Sequence, residues 1–319
     1  MANKNIVIVG ATGFIGSSLI SELIKTPHNN IIAIGRTKNI FLEELEGKNS
    51  NFSFIELDIK QLPQNFVLPE SIDILYYLVS GTHPAKSWND PEIELELNLM
   101  PLINFMGYLA GSKTELKKML FLSSGGTVYG EAKMEKDGYE EECLAKPLVP
   151  YGIFKKTQED LLRYYSKRQG FTLYNCRVGN VFGPNYSKQK DFGVINIWLS
   201  KILNGEPIQV FGSHEIVRDY IFIKDLVAML QYPLSGTLEE GDYNISTGNH
   251  FSLKEVLEMI IQVCPMKVSV EQTFARASDA DIVVLNGRKF NAKCKLASTS
   301  MLSGIEQTLT HLTNEATKE

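Results

Sequence analysis

Ile6-Val7-Ile8-Val9-Gly10-Ala11-Thr12-Gly13-Phe14-Ile15-Gly16 decides the fold of this chain. Four apolar, strand-forming residues end on a glycine. Two more glycines follow at three-residue steps, and Ser17-Ser18-Leu19 carries on with helical spacing. Gly10 stands where the chain must turn sharply. Gly13 lacks a Cβ and lets a phosphate approach the backbone, and Gly16 lets the helix pack against the strand. The helix start then offers free N–H groups and the positive end of its dipole. The spacing is Gly-x-x-Gly-x-x-Gly rather than Gly-x-Gly-x-x-Gly, and glycines alone mean little. Here they follow a strand and open a helix at the head of an α/β pattern, which predicts the pyrophosphate-binding turn of a nicotinamide dinucleotide site.

Working outward, short β-rich runs alternate with helical patterns. Strands are expected at Ile6–Val9, Ile31–Ile34, Phe52–Leu57, Ile74–Val79, Met119–Ser123 and Thr172–Val178. The last three are nearly all apolar, as in strands covered on both faces. Amphipathic stretches such as Gly16–Lys25 and Glu92–Ala110 lie between them. The expected class is α/β, a Rossmann-like doubly wound parallel sheet with a smaller mixed α/β substrate domain. The pattern becomes irregular after Pro184, so the dinucleotide-binding domain is placed at 1–179 and the substrate domain at 180–319. Arg218–Ile223 reads as a strand and Asp225–Leu230 as a helix, which predicts a return to the first domain near 213–245.

The chain has 319 residues, 44% hydrophobic and 22% charged, enough for a full core and ordinary for a globular protein. A net charge of -5 with no basic block argues against nucleic acid as a partner. No apolar run approaches the ~18 residues of a membrane helix, and the N-terminus lacks the layout of a signal peptide. Cys143, Cys176, Cys264 and Cys294 fall in no metal-ligand spacing. A cytoplasmic protein with reduced thiols and no metal is expected. His83, His214 and His250 read as structural, Trp88 and Trp198 as packing residues.

A dinucleotide fold commonly carries an acidic residue about 20 positions after the first glycines, to hold the ribose hydroxyls. This chain has Gly35-Arg36-Thr37-Lys38 there. Glycine removes the carboxylate that would repel a 2′-phosphate, and Arg36 suits such a phosphate or the adenine face. NADP is favoured on that ground, with NAD open, since Arg36 reads equally as a solvated cation beside an NAD ribose. Asp58, ending the third strand, is either an acceptor for the adenine amino group or a turn former.

Tyr-x-x-x-Lys occurs twice, as Tyr129/Lys133 and Tyr151/Lys155. The first runs into a polar loop. The second follows Pro150, and Phe154–Tyr165 continues as an amphipathic helix. Four residues apart on a helix, Lys155 stands beside Tyr151. A neighbouring ammonium favours the phenolate and lowers the tyrosine pKa. Tyr151 then suits proton transfer with a sugar hydroxyl while hydride leaves the carbon.

These pieces together resemble the extended short-chain dehydrogenase/reductase family, in its nucleotide-sugar epimerase and dehydratase group. The resemblance runs through Gly10–Gly16, Asp58, Asn98, Ser123-Ser-Gly-Gly-Thr-Val-Tyr-Gly130, Tyr151–Lys155, Arg177–Pro184, Arg218–Asp225 and Tyr243–Gly248. It implies Tyr151 as acid/base with Lys155 as partner. It implies cofactor contacts at Gly10, Thr12, Gly13, Phe14, Ile15, Gly16, Arg36, Asp58, Ile59, Leu78, Val79, Ser80, Asn98, Ser123, Tyr151, Lys155 and Val178. A nucleotide-diphosphate sugar falls to Asn180, Gln209, Phe211, Arg218, Arg276 and Asp279, and a homodimer through Glu92–Ala110 and Gly152–Arg168 is implied as well. Two departures stand out. The position three before Val128, where the family places a catalytic Ser or Thr, is Gly125, which leaves Ser124 or Thr127 to supply the hydroxyl. Gly126-Thr127 replaces the acidic pair of the dehydratases, so dehydration lacks its acid. A C4 epimerase with bound NAD(P) is expected, an NADPH-dependent 4-keto-sugar reductase being the alternative and a non-catalytic dinucleotide sensor the remote one.

Overall fold

The computed structural model describes residues 3–130, 136–187, 193–274 and 281–316. Its centre is a sheet of seven parallel strands: β1 (Lys4–Val9), β2 (Asn29–Gly35), β3 (Phe52–Glu56), β4 (Ile74–Tyr77), β5 (Lys118–Ser124), β6 (Thr172–Val178) and β7 (Gly241–Ile245). The spatial order β7-β6-β5-β4-β1-β2-β3 reverses direction between β1 and β4. In such sheets ligands bind at that crevice, beyond the carboxyl ends of the strands.

Alternation along the strands builds two cores. Ile6, Ile8, Ile31, Ala33 and Tyr76 face one side, where helix α1 (Phe14–Leu23) packs. Val7, Val9, Ile32, Ile34 and Tyr77 face the other, against helix α2 (Met100–Gly111) and Leu162 of helix α3 (Pro150–Gln169). Both faces are covered, which is why these strands are continuous apolar runs.

Four expectations change in detail. The fourth strand ends at Tyr77 instead of Val79, because Leu78 and Val79 pass the glycine turn; a Cβ on Gly10 would lie 3.0 Å from their backbone. Glu92–Ala110 is one continuous helical stretch, though not α-helical throughout. A short turn at Glu92–Glu94 passes through a π turn at Leu95–Leu99 before α2 begins. Glu94 and Asn98, four positions apart and so on one face, both point inward, where each is 1% exposed. Val217–Phe222 does not rejoin the main sheet. It pairs with Asn180–Phe182, His250–Ser252 and Ile282–Val283 in a second sheet, and the return to the main sheet is made by β7. Trp88 is 45% exposed and so only half covered, unlike Trp198, which is buried with its Nε1 donating to Gln209 O at 3.1 Å.

Candidate active site

The turn after β1 has the shape its glycines predict. Gly10 sits at φ +90° and its N–H donates to Ile34 O at 3.0 Å. A Cβ on Gly16 would come 2.3 Å from Gly10 O, so α1 lies against the turn with no room for any side chain. Helix α1 starts without a side-chain cap and with no acidic residue in its first turn. A helix start of this kind suits an anion, so this cradle fits a dinucleotide pyrophosphate.

The surroundings sort the expected cofactor residues. Thr12 Cγ2 would meet a Cβ on Gly35 at 2.9 Å, so glycine at the end of β2 makes room for the threonine as well as removing a carboxylate. Arg36 is exposed and makes no hydrogen bond or ion pair among the described residues, whereas Lys38 is tied to Glu46. Asp58 is exposed and its Oδ1 accepts from Lys60 N at 3.0 Å, the turn-forming reading. Phe14, Ile15, Ile59, Leu78 and Val178 are buried in the cores beside the crevice, and Val79 is partly buried. The Ser123 hydroxyl is spent on Glu159, donating to Oε1 at 2.6 Å. Asn98 likewise has its side chain fully used inside the protein. Its Oδ1 accepts from Gly81 N at 2.8 Å and its Nδ2 donates to Thr82 Oγ1 and Glu94 Oε2 at 2.7 and 2.6 Å. Asn98 therefore supports the 80–82 loop.

Tyr151 is the second residue of α3, after Pro150 at the first turn, where the absent N–H costs nothing. A Cβ on Gly152 would meet Thr127 O at 2.4 Å. The helix start thus presses backbone to backbone on the turn that follows β5, which carries Tyr151 to the carboxyl end of the sheet. Lys155 is 3% exposed, donates to Leu122 O at 3.0 Å and lies 5.7 Å from the Tyr151 ring centroid. Burial pushes its ammonium down to about 8, against the opposing carboxylates Glu94 and Glu159. Burial also pushes the Tyr151 phenol up to about 12, with a hydrogen bond to Ser80 acting the other way. The lowered tyrosine pKa expected from Lys155 is thus not what this protein shows, because removal from water, with the Glu94 carboxylate adding to it, outweighs the hydrogen bond to Ser80.

Tyr129 is fully buried. It donates to Asn244 Oδ1 at 2.6 Å and stacks on Tyr139. That makes it a core residue, and Lys133 lies outside the described residues. Gly125 has a physical cause: a Cβ there would lie 2.4 Å from Leu285 Cδ1. Thr127 Oγ1 donates to Ser124 Oγ at 2.9 Å, so these two hydroxyls engage each other.

On the substrate side, Asn180 pairs in register with Tyr220, which places it across from the strand that carries Arg218. Arg218 is partly buried and donates to Val217 O at 2.9 Å. Gln209 and Phe211 stand on Ile208–Phe211, joined to Arg218 through the Gly212–Ile216 turn. Arg276 and Asp279 lie outside the described residues.

Sequence reasoning missed three features. Glu94 is a buried carboxylate under the tyrosine–lysine pair. Leu285 comes from the far end of the chain to fill position 125. Arg177 is 3% exposed and holds Glu159 of α3 at 2.8 Å and Asp242 of β7 at 2.7 Å. Nothing local marks any of them; only the buried Arg177, in an apolar strand, carried a signal, since such a charge needs partners.

The profile of the NAD dependent epimerase/dehydratase family matches residues 6–246. The dTDP-4-dehydro-6-deoxyglucose reductase of Escherichia coli is 31% identical over 264 residues, covering 81% of this chain and 82% of that one. A putative UDP-glucose 4-epimerase of Methanocaldococcus jannaschii is 28% identical over 258 residues, 80% and 81% of the two chains. Among solved structures, UDP-glucuronic acid 4-epimerase of Bacillus cereus, in complex with UDP-glucuronic acid and NAD, superposes with a TM-score of 0.85. It is 22% identical and covers 98% of this chain and 99% of that one. UDP-N-acetylglucosamine 4-epimerase of Methanobrevibacter ruminantium gives 0.86 at 23% identity, covering 99% and 100%. With the glycine cradle, the tyrosine–lysine helix and the seven-stranded sheet in place, the chain belongs to the NAD dependent epimerase/dehydratase family.

Proposed function

We propose that this protein is a nucleotide-sugar C4 epimerase that works through a 4-keto sugar with bound NAD or NADP. The observation that carries the reading is the meeting of two devices at one end of the sheet. The glycine cradle opens α1, and Tyr151 with Lys155 is delivered beside β5 by the contact of Gly152 on Thr127. Tyr151 takes the proton of the 4-hydroxyl and returns it to the opposite epimer. A nicotinamide ring supplies the hydride acceptor and donor. Lys155 keeps a positive charge under the phenol and holds the ribose hydroxyls. Arg218 and Asn180 bind the diphosphate, whose charge suits a forked donor. Residues 1–179, with β7 added, form the cofactor half, and the remainder after 180 forms the sugar half.

A reductase is the second reading, favoured by Arg36, exposed and unpaired among the described residues, and by the 31% identical reductase. In it Tyr151 donates a proton to a 4-keto oxygen. Intact Tyr151 and Lys155 speak against a protein that only senses dinucleotide. The exposed apolar residues Leu95, Met100, Ile153 and Tyr164 sit on the π turn, α2 and α3, and support a homodimer through these helices. Among the described residues no helix is long and apolar enough to cross a membrane.

The test is to denature the purified protein and identify what it releases. Stoichiometric NAD⁺ supports the epimerase. An empty protein that oxidises NADPH with a 4-keto sugar replaces it with the reductase.

A further inference from the structure

Among the described residues the Tyr151 hydroxyl has one hydrogen-bond partner, and it does not come from the Ser123–Gly130 stretch. It is Ser80, whose Oγ lies 3.3 Å away. Each alternative hydroxyl has a reason to be absent from Tyr151. Leu285 fills the space at position 125, and Ser124 and Thr127 bond each other. Ser80, in contrast, stands on a built support. Gly81 N donates to Asn98 Oδ1 at 2.8 Å, Thr82 Oγ1 donates to Glu94 Oε1 at 2.5 Å, and Asn98 bridges Thr82 and Glu94. Gln158 of α3 ties in by donating to Asn98 O at 3.0 Å. The loop carrying Ser80 and the helix carrying Tyr151 are thus fixed to one buried network.

We propose that Ser80 is a catalytic residue, its hydroxyl being the group that holds the Tyr151 oxygen and stabilises it when it has lost its proton. The inference rests on the reading of Tyr151 as the acid/base. While Tyr151 is protonated, its O–H donates to Ser80 Oγ, and the Ser80 hydrogen goes to Thr82 O at 3.2 Å. When Tyr151 is a phenolate, the Ser80 hydroxyl turns and donates to it. Only a hydroxyl rotates, and Ser80 neither gains nor loses a proton. A hydrogen bond donated to the charged form favours that form and opposes the effect of burial. The charged groups facing Tyr151 are Glu94, which disfavours the phenolate, and Lys155, whose Nζ is 5.7 Å from the ring; Glu159 faces Lys155 in turn. Glu94 therefore acts as a positioning residue that anchors the loop, while Ser80 tunes the phenol.

The test is a titration of Tyr151 by NMR in protein labelled with ¹³C at the tyrosine Cζ, the Tyr151 signal being the one lost in Tyr151→Phe. Ser80→Ala moves the midpoint up, so that the ionised fraction of Tyr151 at pH 11 falls about tenfold, as expected for a lost bond to a charged group. Ser124→Ala and Thr127→Ala leave it in place, and Ser80→Thr restores it. Turnover of UDP-glucose, UDP-glucuronic acid or dTDP-4-dehydro-6-deoxyglucose falls about 10- to 100-fold in Ser80→Ala alone. An unmoved midpoint in Ser80→Ala, or a midpoint moved equally by Ser124→Ala, overturns the proposal. Absence of turnover in the unaltered protein would count against the enzyme reading instead, and the titration would still decide the role of Ser80.

Discussion

At the residue scale, choices between atoms decide the chemistry. Arg36 is exposed, unpaired among the described residues and placed just past the end of β2, where its neighbour Lys38 is occupied by Glu46. A 2′-phosphate would gain its charge-assisted bonds here and nowhere else on Gly35–Lys38. Arg36→Ala is expected to weaken NADP binding by about tenfold, about 1.4 kcal/mol, and to leave NAD unchanged. Calorimetric titration with both dinucleotides measures this, and an equal loss for the two would remove the arginine from cofactor selection. Tyr151 illustrates how a residue can be found in sequence while its state is not. The spacing to Lys155 gives the pair. That burial would raise the phenol depends on side chains contributed by three separate segments.

At the element scale, contact between backbones sets the architecture. Gly16 is the clearest case, since a Cβ there would sit 2.3 Å from Gly10 O. Gly16→Ala forces α1 off the turn and is expected to cost about 1–3 kcal/mol, as overpacking does, with loss of dinucleotide binding. Denaturant unfolding checks the first effect and fluorescence titration with NADH the second. A stable variant that still binds would show that the helix has room. The second sheet carries a different device. Asp219, 1% exposed, accepts from Ser246 Oγ at 2.7 Å, and burial pushes its carboxyl up to about 7. Folded protein therefore holds this proton more tightly than unfolded chain, whose carboxyl titrates near 3.8. Its contribution to stability is complete below about pH 3.8 and is lost as pH rises from there through about 7. Asp219→Asn removes that dependence, so the stability difference between the two proteins changes by about 4 kcal/mol from pH 4 to pH 8. Thermal unfolding across that range reads it, and parallel curves would mean that the carboxyl titrates normally in the fold.

For the whole molecule, the parts that sequence made legible are those built locally. β6 falls on Thr172–Val178 as expected, because its apolar residues meet a layer on each face and its two buried polar residues, Asn175 and Arg177, are paired with Asp242 and Glu159. The cradle was legible because Gly13 and Gly16 answer contacts to Gly10 within one turn and Gly10 takes a positive φ that the turn itself requires. The π turn at Leu95–Leu99 was not, since its cause is the pull of Gly81 and Thr82 on Asn98 from another segment. Nor was the vacancy at Gly125, which answers to Leu285, 160 positions further on. The strand Val217–Phe222 read correctly as a strand, but pattern alone does not say which sheet it joins. Assembly belongs to this scale as well. Ile153 and Tyr164 lie on one exposed face of α3, 46% and 51% exposed. Ile153→Lys with Tyr164→Lys is expected to turn a dimer into monomers in sedimentation equilibrium without lowering the unfolding temperature. A protein that is monomeric before substitution contradicts the homodimer.

The account as a whole stands on reversible hydride removal at C4 by a protein whose own proton carrier is Tyr151. The most direct measurement uses UDP-glucose, UDP-glucuronic acid and UDP-N-acetylglucosamine, each deuterated at C4, with catalytic NAD⁺ or NADP⁺. The account predicts that one of them gives its C4 epimer with the deuterium retained at C4 and the dinucleotide unconsumed, and that Tyr151→Phe stops the reaction while still binding dinucleotide. Formation of the epimer with deuterium lost to solvent, or undiminished turnover by Tyr151→Phe, would contradict it.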